Sequence, residues 1–129
     1  MIAFHMFCDE DGERAREFAS PLIDAYLKSL VDAASDWLDG MSSADYPGYN
    51  KVIAALRASN AAEQIAAGGA WIGSPDEIAA TVTRLQREFG GFEHASLQVN
   101  FNTMRFEDAL ASMRLFANEV MPRVARATA

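Results

Sequence analysis

The sequence predicts an α/β domain in which three parallel strands are flanked by helices. Three observations carry that reading. Two short apolar runs, Ile2–Cys8 and Ala70–Gly73, and one alternating run from Ala95 to Asn102 have strand character. Helical patterns separate them. The order strand, helices, strand, helix, strand, helix leaves crossovers long enough for parallel pairing, and such crossovers are right-handed.

Ile2–Cys8 is bounded by the acidic turn Asp9-Glu10-Asp11-Gly12, and its length without clean alternation fits a strand buried on both faces. Next, Ala15, Phe18, Ala19, Leu22, Ile23, Tyr26, Leu27, Leu30, Val31, Ala34, Trp37 and Leu38 recur three and four apart on one stripe. Ser20-Pro21 interrupts that stripe, so either a kink or two abutting helices is expected. Asp39 to Gly48 carries Gly40, Pro47 and Gly48 and reads as a loop. A short helix from Tyr49 to Arg57 presents Val52, Ile53 and Leu56. Asn60 with Glu63 forms a capping box for another helix, which stops at Gly68-Gly69.

Ala70–Gly73 is too short for a helix and reads as the second strand. Ser74-Pro75-Asp76-Glu77 is a strong helix start, with a capping hydroxyl, a first-turn proline and a glutamate at the third position. Ile78, Val82, Leu85 and Phe89 follow at helical spacing, and Gly90-Gly91 closes that helix. From Ala95 to Asn102 the apolar Ala95, Leu97, Val99 and Phe101 alternate with Ser96, Gln98, Asn100 and Asn102. A last stripe, Phe106 to Val120, is expected to end near Pro122. Three parallel strands would leave two open edges, which calls for extra strands, a homo-oligomer or a complementing chain.

With 129 residues, the chain is expected to be one domain. Half of the residues are apolar and 22% are charged, enough to fill a core. Eleven Lys+Arg against 18 Asp+Glu give a net charge of −7. Without a basic cluster, nucleic acid and anionic membranes are not expected partners. Cys8 is the sole cysteine, so neither an internal disulfide nor a CxxC pair exists. The opening residues lack the basic and long apolar regions of a signal peptide or membrane span, and a cytoplasmic location is the expectation.

Several of these segments, taken in order, form a familiar series. Gly73-Ser74-Pro75-Asp76-Glu77-Ile78 precedes Leu97-Gln98-Val99-Asn100-Phe101, then Met113-Arg114-Leu115-Phe116, Glu119-Val120 and Pro122. The series resembles the C-terminal end of the bacterial luciferase-like flavin monooxygenases, and Ile2 to Phe18 is similar to a strand and acidic helix of that family. The resemblance implies part of a (β/α)8 barrel, a fold that takes about 250 residues, so this chain would supply roughly its last three strand–helix units. It also implies oxidation of an organic substrate with O2 and reduced flavin, either FMN or a deazaflavin, with a flavin reductase as a partner. The family's phosphate-holding residues and its reactive His and Cys lie mainly upstream of such a segment.

Against that background, five residues are candidates for holding the cofactor. Ser74 at a helix N-terminus can meet a phosphate, although a plain cap explains it and Asp76 and Glu77 repel an anion. Gln98, Asn100 and Asn102 share the polar face of their strand; in a barrel they would look into the lumen, with Asn100 and Asn102 nearest the mouth. Trp71, beside Gly73, can stack on a flavin ring or fill the core. Trp37, Tyr46 and Tyr49 are further aromatic candidates. His5 and His94 have no partner at metal-ligand spacing, so no metal is expected. Cys8 reads as a packed thiol, and the acidic run Asp9 to Glu13 as a solvated helix start.

Overall fold

The computed structural model describes residues 2–35 and 47–127. The elements are β1 (Ile2–Cys8), α1 (Gly12–Ala33), α2 (Tyr49–Ala58), α3 (Ala61–Ala67), β2 (Ala70–Gly73), α4 (Pro75–Glu88), β3 (Ala95–Gln98), α5 (Phe106–Leu115) and α6 (Met121–Ala127). A π-helical segment, Phe116–Val120, joins α5 to α6. The expected loop between α1 and α2 lies mostly outside the described residues.

The sheet is the parallel, helix-flanked unit that the sequence predicts. β1 pairs in parallel with β2, from His5 opposite Ala70 to Cys8 opposite Gly73. It also pairs in parallel with β3, from Ile2 opposite Ala95 to His5 opposite Gln98. The order β2-β1-β3 therefore puts the first strand in the middle. The chain steps from β1 to one side and then across it to the other. Crossovers of one hand then put their helices on opposite faces.

Core packing shows this division. On one face, Phe7, Ala70 and Ile72 pack with Ala15, Ala19, Ile23 and Leu27 of α1. Ala15 and Ala19 have no exposed surface, and their small side chains let the helix lie close to the strands. On the other face, Phe4, Met6, Cys8 and Trp71 meet Ile78, Val82 and Leu85 of α4 together with Val120. This two-sided burial explains why β1 reads as an apolar run rather than as an alternating one. Phe4 and Trp71 stack with ring centroids 4.4 Å apart.

Helix termini follow local chemistry. Asp11 caps α1 by accepting the Glu13 and Arg14 N–H groups at 2.9 and 3.2 Å. α4 has the predicted capping box: the Glu77 carboxylate accepts the Ser74 N–H at 2.8 Å, and the Ser74 hydroxyl accepts the Glu77 N–H at 3.4 Å. Asn60 caps α3 by accepting the Glu63 N–H at 3.0 Å.

The structure bears on three expectations. First, of the two alternatives at Ser20-Pro21, abutting helices do not occur: α1 is one helix through Pro21. Pro21 and Glu17 are exposed, so the helical hydrogen bond that proline removes is lost on the solvent side, where the free carbonyl costs little. Second, the C-terminal helix does not end near Pro122 but reaches Ala127. The Met121 N–H donates to the Phe116 carbonyl, five residues back, and this wider register opens the turn that the proline ring would otherwise crowd.

Third, β3 ends at Gln98 and not at Asn102. Asn102 takes a left-handed conformation (φ 54°), its side-chain oxygen accepts the Thr103 N–H at 2.8 Å, and the Met104 N–H donates to the Phe101 carbonyl at 3.3 Å. This turn swings Phe101 onto the α1 face, where it joins Phe7 and Met104, while Leu97 and Val99 stay on the α4 face. Alternation stops because the strand stops.

The early end of β3 leaves the second half of β1 without a strand on that side. α5 takes its place: the Cys8 N–H donates to the Ser112 hydroxyl at 2.8 Å, and Ser112 is almost fully buried. Replacing Ser112 by Ala strands that backbone donor, so chemical denaturation should register a loss of about 1–3 kcal/mol. A change below ~0.5 kcal/mol would show that the bond does not hold α5 to β1.

Candidate functional site

Open α/β sheets bind ligands outside the carboxyl ends of their strands, at the point where successive connections leave in opposite directions. Here that point lies between β1 and β3. Two shallow depressions adjoin there, between the first turns of α1 and the first turns of α5. One, of about 270 Å3, is bordered by Cys8, Asp9, Arg14, Asp108 and Ser112. The other, of about 350 Å3, is bordered by Phe18, Leu22, Met104, Arg105 and Asp108. Asp108 belongs to both. A larger hollow of about 520 Å3 lies between α1 and the α2–α3 region, away from the strand ends.

The crevice is built by local pairings. Asp9 ends β1 and accepts from Arg14 Nε at 3.1 Å and from the Asp11 N–H at 2.9 Å. Partial burial pushes its carboxyl up, but these hydrogen bonds and the Arg14 charge outweigh it, so the net shift is downward. Arg105 Nε donates to Asp108 at 3.0 Å. Phe18 stacks on Phe7 with centroids 4.8 Å apart and keeps part of its ring exposed. Cys8 lies at the floor, where burial first, and then the Asp9 charge, push its thiol up to about 11. A thiol so raised is not a nucleophile at neutral pH.

The five predicted residues do not form one cluster. Trp71 is buried against Phe4 on the α4 face, whereas Gln98 is exposed on the α1 face, its amide 3.5 Å from the Tyr26 hydroxyl. Asn100 and Asn102 are exposed in the chain that follows β3, and Asn102 shapes the turn. Ser74 caps α4. Trp37 and Tyr46 lie outside the described residues, as does the side chain of Tyr49.

Arg14, Phe18, Asp108 and Ser112 were not site candidates from sequence, where Phe18 reads as part of the apolar stripe of α1. Ser112 left a signal there as a polar residue three positions after Ala109 on an apolar helical stripe.

The crevice does not fit a phosphate through its helix ends. α1, α4 and α5 each follow a strand and start at this edge. Their first turns carry Glu13; Asp76 and Glu77; and Glu107 and Asp108. Asp11 already takes the Glu13 and Arg14 N–H groups of α1, and Ser74 takes the Glu77 N–H of α4. Glu77, held by the Ser74 N–H and by Arg16 at 2.9 Å, has its carboxyl below the usual range, since these contacts outweigh partial burial. Negative charge is therefore fixed where a phosphate would sit. Among the described residues no group of three His, Cys, Asp or Glu is placed to hold a metal ion, and no helix is long and apolar enough to cross a membrane.

His5 lies on the α1 face between Tyr26 and Phe101, edge-on to both rings at 4.7 and 5.0 Å. Its Nε2 is buried without a hydrogen-bond partner among the described residues, and burial lowers its pKa below 6.5. The folded state thus favours the neutral ring, and this contribution is complete above pH 6.5 and lost as pH falls through that value toward the lower folded pKa. Thermal unfolding midpoints measured from pH 7 to 5 should fall, and His5→Phe should fall less steeply. Equal slopes would remove His5 as the cause. Cys8 should resist a thiol reagent at pH 8 in the folded protein and react once the protein is unfolded. Fast labelling of the native chain would contradict its burial.

The chain is similar in structure and sequence to the crystal structure of monooxygenase RslO1 from Streptomyces bottropensis, with 26% identity and a TM-score of 0.56. The likeness takes in 93% of this chain but 29% of that one, so the chain spans less than a third of the length of the protein it matches. No family model and no curated protein matches the sequence.

Proposed function

We propose that this chain is an α/β segment of a monooxygenase of the luciferase-like, flavin-dependent kind, and that it lines an active cavity which other polypeptide completes. The observation that carries this reading is the likeness to RslO1 over 93% of the chain at 26% identity. The series running from Gly73 to Pro122 supports the same assignment. In such an enzyme reduced FMN or a deazaflavin supplies two electrons, one oxygen atom of O2 enters the organic substrate and the other leaves as water.

The protein's part is to position the reactants and exclude water. The carboxyl-end crevice offers the partly exposed Phe18 ring for a planar group, and the exposed Gln98 and Asn100 amides, at and just past the end of β3, are the groups we assign to a heteroaromatic edge, while Asn102 shapes the turn that follows. Trp71 and Ser74 contribute from behind, through packing and capping. What the described residues do not offer is a phosphate cradle, since acidic first turns surround the edge. Groups from a complementing chain or a second copy would hold that end of the flavin, and a flavin reductase would supply the reduced cofactor.

A second reading has its own support. Phe106, Phe89, Met121 and Met113 are exposed, and among the described residues neither β2 nor β3 pairs with a further strand. A noncatalytic module that self-associates through these surfaces would have such features.

Flavin titration separates the two. The chain alone should quench FMN fluorescence only weakly, with a dissociation constant above about 100 µM, and a complex with its complementing chain should bind with a constant at least about tenfold lower, a gain of ~1.4 kcal/mol. Stoichiometric binding by the chain alone would overturn the shared-cavity part of the proposal. A purified complex that binds neither FMN nor a deazaflavin would overturn the flavin assignment and leave the module.

A further inference from the structure

The two outer strands of the sheet are covered unequally. β2 pairs only with β1 among the described residues, yet all four of its residues are buried. β3 likewise pairs only with β1, but Ser96 and Gln98 are exposed, and Ala95 and Leu97 are only partly buried. Leu97 lies opposite Phe4 in the register, and Phe4 is 5% exposed. The apolar side of β3 therefore touches the core without being closed over by it. Val99 continues that side, and Met121, which is 56% exposed, borders the same open cleft as Phe92, Ala95, Leu97 and Phe116.

An open edge presents a row of unpaired backbone N–H and C=O groups, and proteins that stay single guard it with charges, proline or a covering element. Ala95 to Met104 contains no charged residue and no proline. The strand's own sequence supplies a matching partner. Antiparallel pairing keeps the two faces apart only in alternate registers, since a slip of one residue turns every side chain over. An axis through Leu97 satisfies that rule with a second copy: Leu97 opposes Leu97, Ala95 opposes Val99, and Ser96 opposes Gln98. Apolar side chains then meet on the α4 face and polar ones on the other. Glu93, the charged residue that borders the cleft, stands four residues from the axis, so the glutamates of the two copies lie ~27 Å apart, several Debye lengths at physiological salt.

We propose that the chain forms a twofold homodimer in which β3 pairs antiparallel with β3 of a second copy about Leu97, joining the two three-stranded sheets edge to edge. Ala95, Leu97 and Val99 of the second copy extend the apolar face beside Phe116 and Met121. Backbone hydrogen bonds supply the pairing, and the alternating side chains fix its register. The dimer stands on the sheet and not on the monooxygenase reading, and its test uses no flavin.

Sedimentation velocity of the intact chain over a concentration series tests it. A monomer–dimer equilibrium with a dissociation constant below about 100 µM is expected. Leu97→Lys and Leu97→Glu each set like charges against each other on the axis, and each should weaken the dimer at least tenfold. An equimolar mixture of the two should associate again, because Leu97 meets its own copy only in this arrangement. If either variant does not fold, amide hydrogen exchange on the unmodified chain decides: protection from Ala95 to Val99 should rise with concentration, and protection of β2 should not. A chain that stays monomeric at about 500 µM overturns the proposal and leaves the β3 edge to a strand of another polypeptide. A dimer that both variants leave intact overturns it too, as does one that they weaken and their mixture does not restore.

Discussion

A parallel strand in the middle of a sheet has to be met by side chains from two directions, and β1 imposes that requirement on the rest of the chain. Phe7 points one way and Phe4, Met6 and Cys8 the other. Each direction then needs an amphipathic helix of matching stripe. α1 supplies the first through residues four apart, Ala15, Ala19, Ile23 and Leu27, and α4 supplies the second through Ile78, Val82 and Leu85. The strand order follows from the same need. With β1 central, one hand of crossover distributes the helices to both faces.

The sheet is only partly regular, and its departures are compensated by named atoms. β3 is short, and the Ser112 hydroxyl meets the backbone donor that a longer β3 would have taken. The turn after β3 uses Asn102, a residue type that tolerates the left-handed region, and thereby sends Phe101 under β1. The π-helical register before Pro122 keeps one continuous wall from α5 to α6, with Val120 fully buried in it. In each case a local exception preserves burial of the central strand.

The edge where the strands end is governed by acidic caps. Asp9, Asp11, Asp76, Glu77 and Asp108 are engaged with backbone N–H groups or with Arg14, Arg16, Arg105 and Arg123. These pairs are mostly exposed and each adds little stability. Their larger effect is on the field at the crevice, where helix N-termini that would attract an anion are neutralised by their own side chains. The proposed function accommodates this field, since it assigns the phosphate end of the cofactor to other polypeptide.

Local composition alone determined the class of the fold. The apolar run of β1, the capping box at Ser74 and the periodicity of α1 and α4 each depend on neighbours within a few residues, and each is legible as written. Tertiary structure decided what rests on distant partners. Nothing near Leu97 or Phe101 in sequence says that β3 should end at Gln98, because α5, nearer the C-terminus, takes over the pairing of β1. The placement of Trp71 and Gln98 on opposite faces was likewise hidden, since strand register, and not strand content, assigns faces. Arg14, Phe18 and Asp108 converge only when β1 is central, and the choice of the central strand is a property of the packed sheet and not of any one segment.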